Sequence, residues 1–252
     1  MKIQQIRNAT MKINYGGITF LLDPWLQDKG TGFSAKAVRK EMVGIKTPIN
    51  DLPITPDEIL SGVDHCLVTH IHPDHFTSDY LPNNIHIITQ NAADQDTIHK
   101  MGFSNYDTFE TDRIQIGGIS IIRTNAVHGS NIVASKAMGK GSGYIMQGES
   151  KTLYIAGDTV YCKCVESIID QYSPDIIILN CCEATTPIGR LIMGLDDVEM
   201  VCRKAPDAII IATHLDSVNH ALVSSDDVRA FCKTHSLNQV LVPYNGECML
   251  FE

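Results

Sequence analysis

Four side chains of metal-ligand type crowd into six residues of the run Thr69-His70-Ile71-His72-Pro73-Asp74-His75. The run follows Cys66-Leu67-Val68, an apolar stretch of strand character, so the ligand-type residues begin where a strand ends. In an extended chain, residues two apart point the same way, which sets His70 and His72 on one side. Pro73 stops the strand and lets Asp74 and His75 turn back toward a second position. Neutral imidazole and carboxylate suit zinc, manganese or iron. Four such groups can feed two adjacent ions, which a lone His pair cannot. A chain with this run must therefore place a buried strand directly beneath a polar edge.

The rest of the chain supplies strands and helices for such an edge. Residues 2–6, 10–15 and 18–23 read as strands, with Gly16-Gly17 as a hairpin turn. Residues 65–69 and 85–89 follow, then 114–116 and 119–124 around Gly117-Gly118, then 144–147 with 152–156. The β-branched runs 175–180, 208–213 and 239–243 read as buried strands, and 248–251 closes the last hairpin. Helical patterns occupy 92–101, 162–171, 197–204 and 226–234, the last two opening on acidic residues that suit a helix N-terminus. Early strands are joined by hairpins and later ones alternate with helices, so a mixed α/β fold with helices covering two sheets is expected. With 252 residues and no low-complexity linker, the chain reads as one domain, 1–252. Residues 26–54 break the rhythm and read as a surface excursion or a substrate lid.

His70-x-His72-x-Asp74-His75 resembles the signature of the metallo-β-lactamase superfamily. Further motifs fall in order: Asp23 in Leu21-Leu22-Asp23-Pro24, His128 in Asn125-Ala126-Val127-His128-Gly129, Asp158 in Ala156-Gly157-Asp158-Thr159, and His214 in Ile211-Ala212-Thr213-His214. The resemblance implies a four-layer αββα sandwich with metals at one edge. It also implies two divalent ions, zinc first, with manganese or iron as alternatives. Carried over by position, His70, His72 and His128 would hold one ion; Asp74, His75 and His214 would hold the other; Asp158 would bridge them. Asp23 would orient a ligand histidine from behind. The opening strands resemble the branch of ascorbate-6-phosphate lactonases and N-acyl-phosphatidylethanolamine phospholipase D-like proteins. That branch commonly begins Gly-His-Ala/Ser, whereas this chain has Arg7-Asn8-Ala9-Thr10.

The implied reaction is hydrolysis by a hydroxide shared between the ions, cutting an ester, lactone or phosphodiester of a small anionic metabolite. Asp74 would bind metal and hold the proton. His220, in Asp216-Ser217-Val218-Asn219-His220, is a candidate acid or hydrogen-bond donor. No Gly-x-Ser-x-Gly elbow or phosphate-binding glycine loop competes with this assignment. Glu183 either orders a network behind the site or ends a strand. Lys136, Lys140 and Arg190, in glycine-containing loops, are candidate anion contacts or plain surface charges. His65, His86, His99 and His235 match no motif.

The formal charge of −9 argues against a protein built to grip nucleic acid. No run approaches the roughly 18–20 apolar residues of a membrane span. The opening MKIQQIRNAT has no secretory h-region, so a cytoplasmic location with reduced cysteines is expected. Neither Cys162-x-Cys164 nor Cys181-Cys182 has metal-ribbon or thioredoxin spacing. The partner expected is a small-molecule substrate, with room for a homo-oligomer. Two other classes compete: a metal-dependent oxygenase or redox protein on the same scaffold, and a non-catalytic metal-binding protein. Superfamily oxygen-reducing di-iron sites usually place Glu where His72 stands, and a degenerate binder should lack ligands that this chain retains.

Overall fold

A computed structural model describes residues 1–252. In the first half of the chain the strands are β1 (Lys2–Arg7), β2 (Thr10–Tyr15), β3 (Ile18–Leu22), β4 (His65–Leu67), β5 (His86–Thr89), β6 (Tyr106–Thr108), β7 (Arg113–Ile116) and β8 (Ile119–Asn125). In the second half they are β9 (Ser142–Gln147), β10 (Leu153–Ile155), β11 (Ile176–Asn180), β12 (Thr185–Thr186), β13 (Gly189–Arg190), β14 (Ile209–Thr213), β15 (Val240–Leu241) and β16 (Cys248–Leu250). The helices are α1 (Pro56–Leu60), α2 (Ala92–Lys100), α3 (Ile132–Met138), α4 (Lys163–Tyr172), α5 (Leu195–Lys204) and α6 (Ser225–His235).

Two seven-stranded sheets result, ordered β16-β1-β2-β3-β4-β5-β6 and β15-β14-β11-β10-β9-β8-β7, while β12 and β13 form a small separate hairpin. Burial on both faces explains the continuous apolar strands. Ile176 and Ile178 of β11 enter the core between the sheets, and Ile177 and Leu179 enter the core on the sheet's outer face. Phe20 and Leu22 of β3 likewise face the central core, and Leu21 faces the opposite way. The central core joins residues of both sheets, such as Met11, Leu67, Tyr144 and Ile211. One outer core packs α4, α5 and α6 on the second sheet through Val165, Val198 and Val228. The other packs α1 and α2 on the first through Ile59 and Ile98. The layers are therefore helix, sheet, sheet, helix, the αββα sandwich.

Several elements were not anticipated from the sequence. Helix α1 is fixed by a capping box between Thr55 and Glu58. Helix α3 takes Lys136 out of the loop that the sequence suggested for it. Residues 26–54 contain only one 3-10 turn, Lys40–Met42. One expectation is corrected: Cys162 and Cys164 are joined in a disulfide rather than reduced. Cys162 is the N-cap of α4 and Cys164 lies in its first turn, with their Cα atoms 5.3 Å apart. The other six cysteines are free, and all but Cys248 are buried. No helix is long and apolar enough to cross a membrane.

Candidate metal centre

The C-terminal ends of β3, β4, β8, β10 and β14 open toward one edge of the sandwich. Asp23 directly follows β3, His70–His75 follow β4, His128 follows β8, Asp158 follows β10 and His214 directly follows β14. Asp23 and His214 hold left-handed backbone, φ +42° and +62°, turning each side chain off its strand. Before Asp158, Gly157 sits at φ +65° against the Ser142 carbonyl, where a Cβ would come within 2.5 Å of backbone oxygen. Only glycine lets this loop pack so close.

The side chains gather in two groups. The ligand atoms of His70, His72 and His128 lie within 4.8 Å of one another, as do those of Asp74, His75 and His214. His70 Nε2 is 2.9 Å from His72 Nδ1. His75 Nε2 is 3.1 Å from His214 Nε2, itself 3.4 Å from Asp74 Oδ2. Asp158 stands between the groups, its Oδ2 3.4 Å from His128 Nε2 and 3.3 Å from His75 Nε2. All seven are buried except His72, which is half-buried at the cavity mouth.

Each inward group is oriented from behind. His75 Nδ1 lies 2.8 Å from Asp23 Oδ2, and Asp23 also accepts from the Thr69 amide and hydroxyl, each at 2.7 Å. His128 Nδ1 donates to the Leu191 carbonyl at 3.0 Å. Those acceptors place the ring protons on the outer nitrogens, so both Nε2 atoms turn lone pairs inward. The inward His128 lone pair then meets a carboxylate oxygen, and the inward His75 lone pair meets another imidazole nitrogen. Lone pairs facing lone pairs in a buried site repel, so either a proton, as on a charged His75, or a metal cation must lie between them. The donor set, imidazole and carboxylate without thiolate, fits a divalent first-row ion such as zinc, manganese or iron.

The electrostatics point the same way. Burial pushes the His70 imidazole well below its ordinary pKa, reinforced by His75 and His72, so it stays neutral and able to coordinate. Burial also opposes charge on His75, but Asp158 and Asp23 outweigh it and raise the pKa to about 10. Burial disfavours the Asp158 carboxylate too, yet His75 and His214 hold it well below the usual range. The pocket thus demands positive charge, which ions would supply in place of protons.

A cavity of about 200 Å³ opens over the two groups. It is lined by the ligand-type side chains His72, Asp74, His128, Asp158 and His214 with His220, interspersed with the apolar Phe33, Ala35, Met138, Ala184 and Leu191. His220 is buried, and its Nδ1 is shut off from solvent without a hydrogen-bond partner. Burial lowers its pKa, against the pull of Asp74, so the ring is neutral. None of the thirteen lining residues is Lys or Arg. Arg190 instead pairs with Asp197 at 2.7 Å, and Lys140 borders a separate cleft beside α2. Glu183 lies outside the cavity lining, with its carboxylate against Gly194 at the start of α5.

Four contributors escaped the sequence reading. Asn8 Nδ2 donates to the Asp74 carbonyl at 3.0 Å and sits 3.2 Å from His214 Nε2. Asn180 Nδ2 donates to Asp158 Oδ1 at 2.7 Å, Cys182 Sγ lies 3.5 Å from His214 Nδ1, and Thr69 serves Asp23. The sequence signal available was position, since each sits at a strand end or beside a ligand.

Comparison with known proteins matches residues 2–214 to the family described as beta-lactamase superfamily domain. UPF0173 protein YddR of Bacillus subtilis is 36% identical over 258 residues, covering the whole of both chains. A UPF0173 metal-dependent hydrolase of Christiangramia forsetii is 25% identical over 239 residues, 91% of each chain. Among solved structures, isothiocyanate hydrolase from Delia radicum gut bacteria superposes with a TM-score of 0.93. It shares 32% identity and covers 100% of this chain and 99% of that one.

Proposed function

Since the chain belongs to the β-lactamase superfamily and is a metal-dependent hydrolase, we propose that it cleaves a small, uncharged, apolar electrophile, an organic isothiocyanate in the first instance. The observation that carries this is the cavity lining, which sets apolar side chains among the ligand-type ones and includes no Lys or Arg. That lining offers no Lys or Arg to the phosphate or carboxylate of an anionic ester or phosphodiester. The cavity is also small against the roughly 300–1,000 Å³ typical of ligand pockets. The whole-length likeness to an isothiocyanate hydrolase supports the same class.

In this reading His70, His72 and His128 hold one ion, Asp74, His75 and His214 hold a second, and Asp158 serves both. Divalent ions there would acidify a water and polarise the electrophilic carbon. The chain's own groups do the rest. Asp74 holds the proton that the attacking water gives up, at a carboxylate 3.4 Å from His214. His220, neutral and unpartnered at Nδ1, donates its ring N–H to the substrate heteroatom on which charge develops. Phe33, Met138 and Leu191, which also line the cavity, exclude bulk water. Addition of water across an isothiocyanate C=N bond and collapse of the adduct releases a primary amine and carbonyl sulfide.

The test is loss of allyl or benzyl isothiocyanate with stoichiometric amine formation, run beside phenyl acetate and bis(p-nitrophenyl) phosphate. Metal-loaded protein should consume the isothiocyanates and stop on chelation. Turnover of the anionic phosphodiester with no action on the isothiocyanates would overturn the proposal.

A further inference from the structure

Residues 26–54 contribute Phe33 and Ala35 to the cavity lining, and their hydrogen bonds fix them there. Arg7 is fully buried and donates to the carbonyls of Trp25, Gln27 and Asn50, at 2.9, 2.7 and 3.1 Å, tying both ends of the segment to one guanidinium. Within it, the Thr47 amide and hydroxyl both donate to the Phe33 carbonyl, at 2.8 and 3.0 Å. The decisive tie is Asn219, fully buried and one residue before His220. Its Oδ1 accepts from the Ala35 amide at 3.0 Å, and its Nδ2 reaches the Ala35 and Met42 carbonyls at 2.9 and 3.2 Å. A side-chain amide saturated in this way fixes the backbone on either side of it.

The consequence falls on Phe33. Its ring is partly buried, packs on the second sheet's outer core, lines the cavity and stands 6.4 Å from the His220 ring, centre to centre. The cavity that it lines holds only about 200 Å³. We infer that Phe33 sets the upper length of the apolar group that the site accepts, and that Asn219 is the positioning residue that holds Phe33 at that height. The inference rests on the proposed reading of the apolar lining as the substrate's seat, and adds that Phe33 is a fixed gauge rather than part of a moving lid. Asn219 couples that gauge to His220, so the loop that presents the proposed donor also sets how much substrate fits beneath it.

A probe independent of the bond cleaved separates this inference from the proposed reaction. Straight-chain alkyl hydroxamic acids of two to ten carbons anchor on bound zinc and run their tails along the cavity. Affinities are measured by calorimetry on zinc-loaded protein for wild type, Phe33→Ala, Asn219→Ala and Asn219→Asp. Wild-type affinity should rise with chain length and then fall sharply once the cavity is full. Phe33→Ala should move that break at least two carbons longer and weaken the shortest members several-fold, with zinc content unchanged. Asn219→Ala should blur the break in the same direction. Asn219→Asp, which keeps the acceptor for the Ala35 amide, should restore part of it. If Asn219→Ala does not fold, the partly exposed Phe33 position decides alone. An identical length profile in Phe33→Ala and wild type overturns the inference, even where isothiocyanate turnover is observed. A moved break upholds it even where isothiocyanates are inert.

Discussion

Asp23 spends both carboxylate oxygens on the chain itself, Oδ1 on the Thr69 amide and Oδ2 on the Thr69 hydroxyl and the His75 ring. It makes no approach to the cavity, so its effect on a metal must pass through the His75 ring. Replacing such an outer partner typically costs about 10- to 100-fold in metal affinity. Asp23→Ala should therefore weaken zinc binding by about that factor in a chelator competition titration, and an unchanged affinity would remove Asp23 from the account. Asp23 was legible in the sequence because a lone aspartate at a strand end fits an ordered series of motifs. Asn8 was not. Its contacts, Asp74 and His214, lie 66 and 206 residues away, and an asparagine carries no ligand chemistry of its own to draw notice. The sequence showed only that residues 7–10 depart from a related branch. The same holds for Asn180, whose bond to Asp158 exists only because β10 and β11 are paired.

At the scale of elements, β11 and β14 were readable because they are almost wholly buried and rich in isoleucine, whereas short, partly exposed β6, β12 and β13 gave no such signal. Strand ends mattered most, since every proposed ligand sits just beyond one. Helices α4, α5 and α6 were readable from their spacing and acidic first turns. Helix α3 was not, because it opens with Ile132 and Val133 at 75% and 63% exposure, the reverse of an amphipathic pattern. The strand-to-ligand turns are also where a backbone change should do most harm. Gly157→Ala puts a Cβ against the Ser142 carbonyl at a positive φ, so the loop carrying Asp158 must move. A loss of about 1–3 kcal/mol is expected by urea denaturation, with weakened metal retention. Wild-type stability and metal content in this variant would show that the turn has slack that the packing denies.

For the whole molecule, the αββα sandwich brings groups from residues 23 to 214 to one edge, and that convergence gives the chain its chemistry. The formal charge of −9 argued against a broad grip on nucleic acid but said little about the substrate. The cavity is small, lacks Lys and Arg, and has apolar side chains in its lining, which composition alone could not reveal because those residues come from segments distant in sequence. The segment 26–54 stood out in sequence for its lack of pattern, and its role depends on ties to Arg7 and Asn219 that no local pattern encodes. The central claim is that the convergent His and Asp side chains hold a pair of divalent ions through Asp158. Elemental analysis of freshly purified protein tests it most directly. Two divalent ions per chain in the wild type, and loss of one or both in Asp158→Ala, is the predicted result. Wild-type protein with no stoichiometric ion, or Asp158→Ala with undiminished content, would contradict it.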